Sequence, residues 1–273
     1  MPAPSPQIAP DAAPLDTARL TAAGFATVVH HAVVGSTMDD ARRLADDPGT
    51  ALPAVVVADR QVAGRGRRGA GWWHAEGALA ASIVVAGGGA GPPPPTWSLA
   101  CGVALAEALR ALEPSVAARV RWPNDVEVSG RKLAGILVES AGRDRAVIGI
   151  GANTSGSAAE APAALCDRVA TLPDLVGRPL DRAMLLAAFL PRFSALAAAL
   201  EADPEALLVG YRPLCALDGS AVTIHVGAAR HTGVCRGIGR GGALVLDTPT
   251  GRREFTSGSL ADPAHVWSGP TGS

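Results

Sequence analysis

Lysine is almost missing from this chain: of its 24 basic residues only Lys132 is a lysine, and the rest are arginines. A sequence that uses arginine wherever a positive charge will do, yet keeps one ammonium, points to a place where a broad guanidinium fork does not serve. A compact charge on a thin stem reaches between two anionic oxygens as a point charge. Net charge is also nearly absent, at −1, which excludes a general attraction to nucleic acid or to an anionic membrane. The four cysteines, Cys101, Cys166, Cys215 and Cys235, are far apart with no C-x-x-C pair, which argues against structural zinc and for a reducing compartment. The six histidines are scattered, only His30 and His31 being adjacent, so neither a metal cluster nor a Ser/His/Asp set stands out and no metal-ligating residue is assigned. No run of membrane-spanning length is free of charges and glycines. The first fifteen residues, rich in Pro and Ala, hold no Lys, no Arg and no apolar core, unlike a secretory signal. The expectation is a soluble, cytoplasmic protein.

What is present is a globular composition. At 273 residues, 48% hydrophobic and 18% charged, the chain holds one large domain, or one domain with a small appendage. Its densest stretch follows the apolar run Val55–Val57: Gln61, then Gly64, Gly66 and Gly69 interleaved with Arg65, Arg67 and Arg68, closed by Trp72 and Trp73. Glycines let the backbone turn its N–H groups toward one point, and guanidinium forks bind phosphate or carboxylate oxygens in pairs. The tryptophans offer flat apolar surface to a ring-bearing ligand. Residues 64–69 also fit G-x-G-x-x-G, but Ala70-Gly71-Trp72-Trp73 is a poor helix start and the same pattern recurs at Gly237–Gly242, so a dinucleotide site is not favoured.

Along the chain, residues 1–16 read as a disordered leader, followed by a short helix around Thr17–Ala23 and a strand over Ala26–Val34. Ser36 is placed as the N-cap of a helix continuing to about Ala45, with Asp39 and Asp40 in its first turn. The spacing then predicts a strand over Pro53–Ala58, a fully apolar strand over Leu79–Ala86, an exposed loop over Gly87–Pro95 and a helix from Thr96 or Ser98 to about Leu112. A second dense region runs Arg121-Trp122-Pro123-Asn124-Asp125, a hairpin at Ser129-Gly130, and Lys132-Leu133-Ala134-Gly135-Ile136-Leu137-Val138-Glu139. Asn124 and Asp125 serve a turn in most such pairs, but here they share a segment with the lone lysine. Asn153 ends a strand over Arg145–Gly151 and either reads a base edge or caps the next turn. After a loop over Ala158–Pro173 come a long helix over Asp181–Leu200 and a short one over Glu205–Arg212. From Leu214, short strands with Gly-rich turns predict a small appended β-barrel.

Four blocks, Gly35-Ser36-Thr37, Gln61 with Gly64–Gly69, Trp122–Asp125 with Lys132–Glu139, and Gly149–Asn153, stand in an order and spacing that resemble the biotin protein ligase family, over about residues 15–260. The resemblance implies an α+β fold: a central mixed β-sheet with flanking helices, of the class II synthetase-like catalytic domain, plus a small C-terminal SH3-like barrel. It implies a catalytic domain over 17–213 and a barrel over 214–268. The activity implied is ATP-dependent activation of biotin as biotinyl-5'-AMP and its transfer to a lysine of a biotin carboxyl carrier domain of acyl-CoA or pyruvate carboxylases. ATP and substrate-bound Mg²⁺ serve the reaction, nucleic acid and membrane do not, and the protein is expected as a monomer or weak homodimer. By the same resemblance, Ser36, Thr37, Met38, Gln61, Gly64, Arg65, Gly66, Arg67, Lys132 and Gly135 fall at the biotin site. Arg67, Arg68, Trp72, Asn124, Asp125, Lys132 and Asn153 fall at the ATP or adenylate site, with Lys132 and Arg67 as the catalytic cations. Met38 stands where many members have Asn, Arg121 replaces a common Lys, and the segment 77–82 looks one residue shorter than in some relatives. An N-terminal helix-turn-helix has no room, so the expectation is a ligase without the repressor. Two alternatives remain: a lipoate or octanoate transfer enzyme of the same fold, and a non-catalytic nucleotide- or RNA-binding module using the arginine loop.

Overall fold

The structure, a computed structural model, describes residues 14–87, 93–142 and 144–260. A seven-stranded sheet has the order β1-β2-β3-β7-β6-β5-β4. Its strands are β1 (Thr27–Val34), β2 (Ala54–Gln61), β3 (Leu79–Ala86), β4 (Arg119–Arg121), β5 (Asp125–Val128), β6 (Arg131–Ala141) and β7 (Arg145–Ala152). Only β1 and β2 pair in parallel, joined by α2 (Thr37–Asp46) as a crossover helix; every other neighbour is antiparallel. The sheet is therefore mixed, as expected.

Strand periodicity explains where the core sits. On β2, Val55 and Val57 join one buried cluster, while Ala54 and Val56 join another with Met38, Ala41 and Ala45 of α2. The first cluster is formed with α3 (Thr96–Leu112) and α5 (Arg182–Ala202). Because β2 is covered on both faces, it reads as a continuous apolar run rather than an alternating one. Along β7, Ala146, Ile148, Ile150 and Ala152 point into the α3/α5 core, whereas Val147, Gly149 and Gly151 point to the α2 face. The helix covers only part of that face. Beyond it, Gly135 of β6 and Gly149 and Gly151 of β7 leave room for a ligand on that face.

The remaining helices are α1 (Thr17–Ala22), α4 (Leu172–Val176) and α6 (Ala206–Tyr211). α5, with 21 residues, is long and apolar enough by length and composition to cross a membrane, which the sequence reading did not anticipate. It carries Pro191 and Arg192, and Leu185, Leu186, Phe189 and Phe193 lie in the core, with Trp97 of α3 meeting Phe193 edge to face at 5.3 Å. The C-terminal strands β8 (Ala221–Val226), β9 (Ala229–Ile238), β10 (Leu244–Thr248), β11 (Gly251–Phe255) and β12 (Ser259–Leu260) form a second, antiparallel sheet of order β11-β10-β9-β8-β12, consistent with a small SH3-like barrel. The sheet joins the main core through Ile224, Cys235, Leu244 and Leu246.

Element boundaries differ from expectation in places. β2 runs on to Gln61 and delivers that side chain from a strand end. β3 is not fully apolar, because Ser82 sits buried in its middle. The loop over 158–173 contains a 3-10 turn at Ala158–Glu160 and the start of α4. Of the leader only 14–16 are described, where Asp16 caps α1; residues 88–92 of the proline loop and 261–268 of the expected barrel lie outside the described residues.

Candidate active site

A cavity of about 540 Å³ opens on the glycine-bearing face of the large sheet, a size typical of small-molecule sites. Its floor follows from strand register. Ala58, Ala80, Gly151, Gly135 and Asp125 pair in turn across β2, β3, β7, β6 and β5, a row of small residues ending in a carboxylate. The parallel row Val56, Ser82, Gly149 and Leu137 lies two residues along. Neither glycine in β7 is replaceable by a residue with a Cβ without movement. At Gly149 that atom would sit 2.7 Å from the Met38 sulfur, and at Gly151 it would fall inside the Trp72 indole.

The end wall is the start of α2. Ser36 occupies the N-cap position, but its hydroxyl makes no cap hydrogen bond; it is buried and has no hydrogen-bond partner. Ser36 thus keeps the expected N-cap position without the cap bond, and a buried hydroxyl left open on a cavity wall is one that a ligand's polar group can satisfy. Thr37 donates its backbone N–H to Gln61 Oε1 at 2.8 Å, and its hydroxyl lies 3.1 Å from the same oxygen and 2.8 Å from Ser82 Oγ. Three polar side chains from α2, β2 and β3 thus form one network. Ser82 was missed from the sequence, although a single hydroxyl in an otherwise apolar strand is a legible signal.

The roof is the glycine–arginine loop, which folds on itself through Gly66 N–H to Ala70 O at 2.7 Å and Trp72 N–H to Gly64 O at 3.0 Å. Arg68 and Gly69 both adopt the left-handed conformation, at φ 57° and 74°. Each arginine has a different destination. Arg65 grips Asp39 of α2 with two hydrogen bonds of 3.0 and 2.6 Å, which lowers the Asp39 carboxyl below its ordinary range and raises the guanidinium. Arg67 turns inward and donates to Asn124 Oδ1 at 3.3 Å; burial, then the neighbouring Arg68 charge, lowers its pKa. Arg68 reaches the C-terminal sheet at Ser259 Oγ, 2.5 Å away. Trp73 packs toward Ala158, Ala161, Leu165 and Val169.

Lys132, at the start of β6, points into the cavity with its Nζ 2.7 Å from Asp125 Oδ1 and 5.1 Å from the centre of the Trp72 ring. Asn124 is held by its Nδ2 donating to Ile136 O at 2.7 Å. Arg121 also lines the cavity and pairs with buried Glu127 at 3.6 Å. Five cations, Arg65, Arg67, Arg68, Arg121 and Lys132, therefore border the space, with Asp125 as the acid among them. Such a site favours an anionic ligand, and its Trp72, Met38 and Leu137 surfaces favour an apolar one attached to it.

The structure thus gathers Ser36, Thr37, Met38, Gln61, Arg65, Gly66, Arg67, Arg68, Trp72, Asn124, Asp125, Lys132 and Gly135 around one cavity. Gly64 and Asn153 do not line it. Gly64 serves the loop's own turn, and Asn153 is buried with its Nδ2 donating to Ala170 O at 3.0 Å. Residues from the small sheet, Gly258, Ser259 and Leu260, do line it, and nothing in their sequence pattern signalled that.

The pattern of the biotin/lipoate A/B protein ligase family matches residues 33–153. A biotin–[acetyl-CoA-carboxylase] ligase of Paracoccus denitrificans is 33% identical over 234 residues, which cover 80% of this chain and 93% of the relative. The chain belongs to the biotin/lipoate A/B protein ligase family. Another protein of that name, from Mycobacterium tuberculosis, is 33% identical over 222 residues, 79% of this chain and 81% of the relative. Among solved structures, the biotin protein ligase from Aquifex aeolicus in complex with biotin and ATP superposes with a TM-score of 0.75 at 28% identity, covering 87% of this chain and 98% of that one.

Proposed function

We propose that this chain is a biotin protein ligase: it joins biotin to ATP as biotinyl-5'-AMP and passes the biotinyl group to a lysine of a biotin carboxyl carrier domain. The observation that carries the reading is the meeting of an apolar, small-residue floor with a wall of cations in one cavity, in a chain one-third identical to named biotin ligases over most of its length.

The chemistry follows from charge. In the first step a carboxylate oxygen of biotin attacks the α-phosphorus of ATP and pyrophosphate leaves, which brings two anions together. Fixed cations in a water-poor space stabilise the charge that develops, and Lys132 and Arg67 are the groups proposed for it. Asp125 holds the Lys132 ammonium at 2.7 Å, keeping a flexible stem in one place. Ser36, Thr37 and Gln61 are proposed to hold biotin's ureido ring against the α2 end of the cavity, with Met38 and Trp72 along its apolar parts. Arg68, Asn124 and Asp125 are proposed on the nucleotide side. In the second step the carrier lysine's amine attacks the acyl carbon and AMP departs as the leaving group, so no nucleophile from this chain is needed.

Among the described residues no group of three or more His, Cys, Asp or Glu side chains could hold a metal ion; Mg²⁺ is proposed to arrive on the phosphates of ATP. Residues 17–213 are proposed as the catalytic unit and the C-terminal strands as an accessory domain. A reducing, cytoplasmic setting fits the free cysteines, and the net charge of −1 fits a protein that works without nucleic acid. A monomer or weak homodimer is proposed, to be checked by sedimentation. The reading is tested by incubating the protein with biotin, ATP and a purified carrier domain. Biotin on the carrier supports it, and labelling by lipoate instead would move the assignment to the sister activity.

A further inference from the structure

Residues 67–69 form one tight turn whose two arginines go opposite ways. Arg67 points inward to Asn124. Arg68, a non-glycine residue at φ 57°, is sent outward, and its Nη1 donates to Ser259 Oγ at 2.5 Å. These partners are far apart in sequence: Asn124 sits in the turn that leads into β5 of the large sheet, and Ser259 on β12 of the small one.

Ser259 is well fixed to receive that bond. It lies on β12, which pairs with β8 at Ser259↔His225 and Leu260↔Ile224. Side chains alternate along a strand, so burial of Leu260 in the core leaves Ser259 facing the loop. Gly258, at φ 153°, lets the strand approach β8 closely; a Cβ there would meet Ile224 at 2.6 Å and His225 O at 2.9 Å. The edge of the small sheet is thus seated hard against its neighbour, with one hydroxyl presented to the cavity roof.

We propose that Ser259 is a positioning residue for the ligase reaction: it latches the glycine–arginine loop to the C-terminal sheet and so keeps Arg67 over the cavity before any ligand binds. This rests on the ligase reading for its kinetic part only. The physical expectation is specific. A loop held in its binding conformation by the latch spends more of its time competent, and apparent affinity scales with that fraction. Removing the latch therefore raises KM while leaving kcat, which reports the fully bound enzyme, nearly unchanged.

The test compares wild type with Ser259→Ala and Ser259→Thr. Trypsin cleavage after the loop arginines of the ligand-free protein is expected to run about three- to tenfold faster in Ser259→Ala, the scale of losing one ordinary solvent-accessible hydrogen bond, with the thermal midpoint unchanged and the Thr variant like wild type. In the biotin- and ATP-dependent reaction, KM for ATP rises by a similar factor with kcat within about twofold. In an Arg68→Gln background, Ser259→Ala has no further effect on either. Wild-type cleavage and KM in Ser259→Ala, a fall in kcat at constant KM, or additive effects with Arg68→Gln would each overturn the proposal. A wild type that labels no carrier removes the ligase reading, and the cleavage comparison still decides the latch.

Discussion

Gly151→Ala is the most revealing single change in the cavity. The added Cβ would lie 2.6 Å from Trp72 Cζ2 and closer still to two other indole atoms. Carbon atoms at rest stay about 3.5–4.0 Å apart, so the ring must shift by roughly 1 Å. The indole is rigid and packs on Gly135 as well as Gly151, and Lys132 Nζ lies 5.1 Å from its centre. The shift therefore passes to the lone ammonium and to the roof loop together. Overpacking of this kind costs about 1–3 kcal/mol. At about 1.4 kcal/mol per decade, that predicts a roughly 5- to 150-fold loss of kcat/KM in biotin-dependent pyrophosphate release. Gly149→Ala supplies the contrast. Its Cβ would approach the Met38 sulfur to 2.7 Å, but a thioether end swings aside cheaply, so less than about tenfold is expected. The double variant Gly151→Ala with Trp72→Leu should recover part of the loss, because the obstructing ring is gone. Wild-type kcat/KM in Gly151→Ala, or losses that simply add in the double variant, would show that the Trp72 ring does not transmit the strain.

Three further outcomes are expected. The Arg145 guanidinium donates to the carbonyls of Leu44, Ala45, Asp47, Pro48 and Thr50 at 2.7–3.3 Å, closing the C-terminal end of α2. Arg145→Met should cost about 2–3 kcal/mol and lower Tm by roughly 4–12 °C, measured by circular dichroism. Burial pushes the His74 pKa below its ordinary 6.5. The unfolded chain then takes up this proton more readily than the folded one, so the group's stabilising effect is present above about pH 6.5 and is lost as pH falls below it. His74→Asn should flatten the decline in Tm between pH 7.5 and 5.5, and an unchanged slope would count against it. Finally, with Lys132 as the only lysine and its ammonium paired with Asp125, released adenylate should label the enzyme itself at little but its N-terminus, as read by peptide mass spectrometry; heavy internal labelling would contradict this.

Much of the fold was legible because its signals are local. β3 and α3 have the residue limits that periodicity and turn residues indicate, and the mixed sheet followed from the family resemblance. The cationic half of the cavity was legible for a similar reason: interleaved Gly and Arg, and a single Lys in an arginine-rich chain, are visible without coordinates. What escaped was fixed by register between strands distant in sequence. Gly149 and Gly151 became floor positions only when β7 paired between β3 and β6. Ser82 gained its role from the approach of Thr37, and Ser259 from that of Arg68. Ser36 stands at the N-cap position as its sequence indicates, and only the fold shows that its hydroxyl is left to the cavity rather than spent on a cap bond.

We propose that the lone lysine serves a biotin-activating site in a way that no arginine can. Transfer of biotin to a purified carrier domain, followed in parallel for wild type and Lys132→Arg with biotin and ATP, tests it most directly. Rapid labelling is expected from wild type and a loss of about a hundredfold in the variant, the scale of removing one well-placed charge-stabilising group, although formal charge is preserved. Equal labelling by both proteins would leave the ligase standing but contradict the role of Lys132, and labelling by neither would contradict the proposed function.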